Sequence, residues 1–424
     1  MKHNISLVHK RKLTALLLAF SMTFLLTFSS CSNEGGSSAK LSSSSMPDFQ
    51  YMFKLLGAQT PTQKSDNGYY NVVSDHIVFT DEKTLKSTPL CNKTDCLHTS
   101  EFPDCNAKIE NMQNCTDNFQ IYDNSIYYLS FVVTDDITEE ENKLIRISLD
   151  GSKRDDIITL KSKFISDWFL YDGYFYYQSM ISTDNSDSES KSGNFYRINL
   201  SDNAEEKFID FSKISDIYDA EGSLRNVYDG YMYVTLSGYK NKDDYEKITN
   251  GKGLDSVDSY VTKIARFNLT DGKCQIIDPY KNDYEFVGFS DGKLVGTIID
   301  DKKTQICISN LDGTDPDIVT ETNSKYQIFC DDSYLYVYNQ SVVDENDDVK
   351  KIYVYDKNGN KKSEVTVPDE ISDVISAASI TFGDDYMWFQ MTDSKGIKVL
   401  YCIQKSDLMK NGTKLTYKEV YRYE

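Results

Sequence analysis

The sequence predicts an all-β chain, a β-propeller of seven four-stranded blades (six and eight being the neighbouring counts), preceded by a signal peptide and a flexible tether. Three observations predict it. A unit made of a short strand, an Asp/Gly turn, an aromatic strand and a second hairpin recurs about every forty to sixty residues, and self-similarity at that period marks a ring or array of repeats. The chain holds 31 tyrosines and 21 phenylalanines but only 7 prolines, and aromatic and β-branched residues favour strands. No stretch carries the long 3.6-residue apolar pattern of an amphipathic helix.

Taken from the N-terminus, Lys10, Arg11 and Lys12 precede an uncharged, mostly apolar run from Leu13 to Phe28, the charged and apolar regions of an export signal over residues 1–30. That run of sixteen residues would span roughly 24 Å as a helix, short of the hydrocarbon core of about 30 Å, so a permanent span is the weaker reading. Ser29 and Ser30 lead into Cys31, with Phe28 where an aliphatic residue is usual. The segment resembles a bacterial lipobox, which implies that Cys31 takes a diacylglyceryl group and becomes the mature N-terminus. An ordinary signal peptide is the alternative. Residues 31–48, with a Gly-Gly pair, two serine clusters and little apolar content, have the composition of a tether, and the propeller domain is assigned to residues 49–424.

The repeats follow in order. A divergent first unit is expected to start near Gly68, with Ile77-Val78-Phe79 as its aromatic strand. The second is Tyr122-Asp123-Asn124 followed by Ile126-Tyr127-Tyr128 and then by Leu144–Gly151. The third runs from Tyr171-Asp172-Gly173 to Leu200, and the clearest copy, the fourth, from Tyr228-Asp229-Gly230 to Leu269. Looser copies begin at Ser290-Asp291-Gly292, Asp331-Asp332-Ser333 and Gly383-Asp384-Asp385. Asp-Gly and Asp-Asn pairs supply the left-handed backbone angles that two-residue hairpins demand. Alternation within strands such as Tyr231-Met232-Tyr233-Val234 sends successive side chains to opposite faces. A single sheet of this kind cannot bury both faces, so neighbours stack around an axis. Two β-sandwiches in tandem would instead require a linker near the middle, and no Pro- or Gly-rich break occurs there.

Lys2, Lys10, Arg11 and Lys12 are the only charged residues of the signal, so its removal takes the formal charge from −20 to −24. Such acidity speaks against nucleic acid as a partner, because phosphate binding relies on clustered Lys and Arg. The acidic run Asp344-Glu345-Asn346-Asp347-Asp348 lacks the ordered spacing of a calcium loop and reads as a loop tip. Only His76 and His98 lie beyond the signal, and no G-x-S-x-G, P-loop or H-E-x-x-H pattern occurs, which removes most histidine-based hydrolase mechanisms.

The densest cluster of soft ligands is Cys91, Cys96, His98 and Cys105, followed by Cys115. Two readings stand. A Cys₃His tetrahedron would suit a structural zinc ion, although C-x₄-C-x-H-x₆-C matches no standard finger. Alternatively the exported cysteines form disulfides, with Cys115 as the fourth partner, or remain free thiols. Cys96 and His98 as nucleophile and base make a poor catalytic pair, and no catalytic residue is assigned. Cys274, Cys307, Cys330 and Cys402 are scattered among strands and read as small buried hydrophobes.

The Tyr-Asp-Gly hairpins resemble those of TolB-like and YWTD-type propellers. With the lipobox and the cysteine segment, the chain from about residue 68 to 424 resembles a group of propeller-type surface lipoproteins of Gram-positive anaerobes. That resemblance implies a location on the extracytoplasmic face of the cell membrane. Trp168, Trp388 and the tyrosines either stack on sugar rings at a blade face or fill the joints between blades, and filling is the preferred reading. The long insertion Gly238–Tyr260 is a candidate binding loop. The expected role is a lipid-anchored, monomeric binding or scaffold module that recognises a protein, peptide or glycan. A carbohydrate-active enzyme using paired carboxylates is the alternative.

Overall fold

The computed structural model describes residues 62–423 apart from residues 100, 103, 110–118, 134–139, 162–164, 183–189, 250–258, 279–283, 300–302, 324–325, 340–349, 376–378 and 381–384. Cys31, Cys115, the signal, the tether and the acidic run at 344–348 therefore lie outside the described residues.

Seven four-stranded antiparallel sheets follow one another along the chain, each built from strands consecutive in sequence. Blade 1 contains Thr62–Ser65, Gly68–Val73, His76–Asp81 and Ser87–Pro89. Blade 2 contains Phe119–Tyr122, Ser125–Val133, Glu140–Ser148 and Arg154–Lys161, and blade 3 Ile165–Tyr171, Tyr174–Ser182, Ser190–Asn199 and Glu205–Ile209. Blade 4 is formed by Tyr218–Tyr228, Tyr231–Tyr239, Tyr260–Asn268 and Cys274–Ile277. Blade 5 comprises Tyr284–Ser290, Lys293–Ile299, Lys303–Ser309 and Asp317–Asn323. Blade 6 comprises Tyr326–Cys330, Tyr334–Asn339, Lys351–Asp356 and Lys361–Thr366, and blade 7 Ser379–Ile380, Tyr386–Thr392, Lys398–Gln404 and Lys418–Arg422. The seven-bladed propeller is thus the fold, and the tandem-sandwich alternative is excluded.

The first blade corrects the sequence register. Its aromatic second strand is Gly68–Val73, carrying Tyr69 and Tyr70, whereas Ile77-Val78-Phe79 belongs to the third strand and the unit begins earlier, at Thr62. Both strands of that hairpin are apolar and buried, so either could pass for the second strand by composition.

The core is divided into seven clusters, and each spans one joint between adjacent blades. This is the packing expected of twisted sheets that each expose two apolar faces. Among the described residues the ring closes between blades 7 and 1 through side chains, with no strand shared across the joint. There Tyr69 lies 5.0 Å from Trp388 between ring centroids, Gln390 Nε2 donates to the Val72 carbonyl at 2.6 Å, and His76 lies 5.2 Å from Tyr423.

The two ends of the ring differ. First and second strands are joined by two residues in blades 1 to 5, with Asp123, Asp172, Asp229 and Asp291 all at positive φ. At the other end the second-to-third-strand connections lengthen in blades 2, 3, 4 and 6, and in blade 4 the connection covers residues 240–259. It contains the helix Lys242–Thr249, capped by Asn241, whose Oδ1 accepts from the Asp244 N–H at 2.9 Å.

Candidate metal centre

After the outer strand of blade 1, the chain enters a run of tight turns. Cys91 N–H donates to the Pro89 carbonyl at 2.8 Å, and Cys96 N–H to Lys93 at 3.3 Å, which folds the chain back so that Cys96 faces Cys91. His98 then adopts a left-handed backbone with φ of 53°, uncommon for a residue with a Cβ, and such angles gather where a site dictates side-chain direction. Further turns bring in Cys105, and the run ends by pairing with blade 1: Ile77 N–H donates to Ala107 at 2.8 Å and Ile109 N–H to Asp75 at 2.7 Å.

These turns gather Cys91 Sγ, Cys96 Sγ, Cys105 Sγ and one ring nitrogen of His98 within 4.8 Å of one another. Cys105 Sγ lies 3.6 Å from His98 Nδ1. With metal–sulfur bonds near 2.3 Å and metal–nitrogen bonds near 2.0–2.1 Å, a tetrahedral site has S···N edges of about 3.6 Å and S···S edges of about 3.8 Å. The group is therefore shaped to hold a metal ion after a small contraction. Cys96 and Cys105 are buried, while Cys91 and His98 are half-buried.

The electrostatics suit such a site. Burial raises the Cys91 thiol, but the backbone N–H groups of Lys93 and Asn106 and the neighbouring thiols of Cys96 and Cys105 outweigh it, leaving the thiol easier to ionise than usual. N–H donors of this kind steady a metal-bound thiolate. Cys105 is pushed up to about 12, chiefly by burial, so without a counter-charge it remains a thiol. Burial and the proximity of His76 hold His98 below the usual imidazole range, favouring the neutral ring that a metal requires.

The loop is also fastened to blade 2. Asn106 Nδ2 donates to the Gly151 carbonyl at 2.8 Å, and Arg154 Nη1 donates to the Lys108 carbonyl at 2.7 Å, while Arg154 Nη2 reaches the Tyr128 hydroxyl at 2.6 Å. Leu90, Cys96, Cys105, Ala107 and Ile109 all belong to the core of the joint between blades 1 and 2. Whatever holds the four ligands together therefore holds that joint.

The other sequence-derived candidates are placed as follows. Cys91, Cys96 and Cys105 are free thiols, and the proposed partner Cys115 lies outside the described residues. Cys307, Cys330 and Cys402 are buried as expected, but Cys274 is exposed, because it opens the outer strand of blade 4. Trp168 and Trp388 are fully buried in joints and take no part in a surface. Among the described residues two aspartates are buried, Asp167 in blade 3 and Asp331 in blade 6. Asp331 pairs with Lys405 Nζ at 2.9 Å and accepts from the Tyr336 hydroxyl at 2.7 Å, a link between blades 6 and 7. Sequence reasoning missed Arg154, Asn106 and the Lys93 N–H, none of which carries a motif.

No family model matches the chain, and no curated protein matches it. Among solved structures, the propeller domain of the Trilobed protease from Pyrococcus furiosus, described as having an open velcro topology, is 12% identical over 86% of this chain and 94% of its own, with a TM-score of 0.45. Dipeptidyl peptidase 4 from Porphyromonas gingivalis is 10% identical over 86% of this chain, with a TM-score of 0.41, and this chain spans about half of its length (53%). TolB from Acinetobacter baumannii is 11% identical over 81% of this chain and 76% of its own, with a TM-score of 0.35. These likenesses concern the fold alone.

Proposed function

We propose that this protein is a lipid-anchored binding or scaffold module on the extracytoplasmic face of the cell membrane. In this reading Cys31 carries the lipid and residues 32–48 are the tether. The monomeric ring recognises a protein, peptide or glycan through one face. The observation that carries the binding role is the difference between the two ends of the ring. Two-residue turns join the first two strands of blades 1 to 5 at one end, whereas the other bears longer connections, among them residues 90–118 between blades 1 and 2 and residues 240–259 in blade 4, and such insertions on a rigid scaffold commonly carry recognition.

In the same reading Cys91, Cys96, His98 and Cys105 hold zinc. Four protein ligands would fill its tetrahedral shell and leave no position for an activated water, so the ion would be structural. It would offset the burial of the thiols and tie blade 1 to blade 2.

The test uses intact cells. Cys31→Ser is expected to move the protein from the detergent phase to the aqueous phase, and crosslinking is expected to recover a reproducible surface partner or a wall glycan with the wild-type chain. Unchanged detergent partitioning would refute the anchor, and product formation by the purified ring would replace binding with catalysis.

A further inference from the structure

Blade 4 has the longest first strand of the ring, eleven residues, and its three inner strands end in a row of tyrosines. Tyr218 is paired in register with Tyr239, and Tyr239 with Tyr260. A fourth, Tyr245, comes from the helix Lys242–Thr249 and packs on two of them, with ring centroids 5.4 Å from Tyr218 and 5.2 Å from Tyr239. Tyr239 in turn meets Tyr260 edge-on at 5.4 Å. The inner two rings thus brace the outer two, and the outer two face solvent: Tyr218 is 36% and Tyr260 50% exposed.

That exposure is against the habit of this molecule, which seals Tyr69, Tyr128, Tyr176, Tyr177, Tyr233 and Tyr338 inside its joints. Two strand spacings, roughly 9.6 Å, separate the strands that carry the outer rings, about the reach of two successive sugar rings. Their faces carry the negative side of the ring quadrupole, which suits aliphatic C–H groups and disfavours anions. The flanking chain carries carboxylates, Asp219, Glu221 and Asp243, interleaved with Lys240, Lys242 and Lys263, so the local charge is mixed. Such mixed surroundings give no net attraction to a charged polymer, whereas an uncharged polyhydroxylated chain offers C–H faces to the rings and hydroxyl donors to the carboxylates.

We infer that the row Tyr218–Tyr239–Tyr260, braced by Tyr245, is a docking platform for a neutral glycan. This rests on the binding role proposed above and specifies its ligand class. Tyr218 and Tyr260 supply the stacking surfaces, while Tyr239 and Tyr245 act as positioning residues.

The test is titration of the full mature chain with two uncharged probes, cellotetraose and chitotetraose, followed by ligand-observed NMR. Saturable binding of at least one is expected, weakened about tenfold by Tyr218→Ala or Tyr260→Ala, and retained in the corresponding Phe variants, which keep the ring. Both positions are exposed, so the melting temperature should hold. Binding of neither probe, binding indifferent to the double Ala variant, or capture of tetralysine in their place would each overturn the inference. If a surface partner recovered by crosslinking persists in the double variant while the sugars fail, the glycan platform falls and the binding role stands. If neither sugars nor any partner are found, both fall.

Discussion

The Tyr176 hydroxyl of blade 3 donates to the Leu269 carbonyl of blade 4 at 3.2 Å. The same link joins Tyr70 to Leu149 across blades 1 and 2 at 3.1 Å, and Tyr233 to Leu311 across blades 4 and 5 at 3.5 Å. Each tyrosine is the third residue of its second strand, and each leucine precedes the glycine-containing turn of the next blade's outer hairpin. Tyrosine suits this place because its ring fills the joint while its hydroxyl satisfies a carbonyl that the turn leaves unpaired. The abundance of tyrosine follows in part from this repeated contact.

Tyr176→Phe removes one such link and keeps the ring. Arg197 Nη1 also reaches the Leu269 carbonyl, at 3.2 Å, so the acceptor keeps a partner. A loss of about 0.5–1.5 kcal/mol is expected by denaturant titration. With Arg197→Ala in the background the carbonyl loses both donors, and the added cost of Tyr176→Phe should then exceed its cost alone. Strict additivity of the two changes would show that the shared carbonyl does not couple them.

The same hydroxyls set an alkaline limit. Burial pushes both Tyr176 and Tyr338 up to about 12, above the unfolded value near 10. A raised folded pKa gives stability that is whole below pH 10 and is lost as pH climbs toward 12. Melting temperature is therefore expected to fall across that window, more shallowly in Tyr338→Phe, which has no proton to lose. Identical slopes for wild type and variant would contradict this assignment.

At the acid end, the Ser148 and Ser152 hydroxyls and the Ser152 N–H bond the Asp150 carboxylate and lower it to about 2. A depressed carboxylate stabilises above its unfolded value near 3.9 and loses that effect as pH falls toward 2. Asp150→Asn should flatten the fall in melting temperature between pH 4 and pH 2, and an unchanged profile would contradict the role given to these bonds.

Gly151 connects this turn to the loop that carries the Cys/His cluster. Its φ is +68°, and a Cβ there would sit 2.6 Å from the Leu90 carbonyl and 2.8 Å from the Cys91 nitrogen. Gly151→Ala should therefore destabilise by roughly 2–4 kcal/mol, read by denaturant titration, and should also weaken metal retention by pressing on the backbone of a ligand. A stable variant with ordinary metal content would separate the turn from the centre.

Much of this was legible in the sequence, for physical reasons. The Asp-Gly turns of blades 3 to 5 demand positive φ, and that demand restricts residue choice enough to leave a visible repeat. Blade 1 was misplaced because the outward side of its Ile77 strand is covered by the loop at Ala107–Ile109, so both strands of its hairpin became apolar. The four residues of the candidate metal centre stood out as the densest soft cluster. The N–H donors to Cys91 and the carbonyls held by Arg154 were invisible because backbone groups have no letter of their own. The exposed row on blade 4 needed the register of three strands and a helix, whereas the tryptophans, the more obvious aromatic candidates, proved to be interior.

The most direct test of the proposed metal centre is elemental analysis of the purified native protein, paired with mass spectrometry of the intact cysteines. About one zinc per chain is expected, with Cys91, Cys96 and Cys105 as unbridged thiols, and His98→Ala should lose both the zinc and part of the melting temperature. Disulfides among Cys91, Cys96, Cys105 and Cys115 in a chain without zinc would contradict the account.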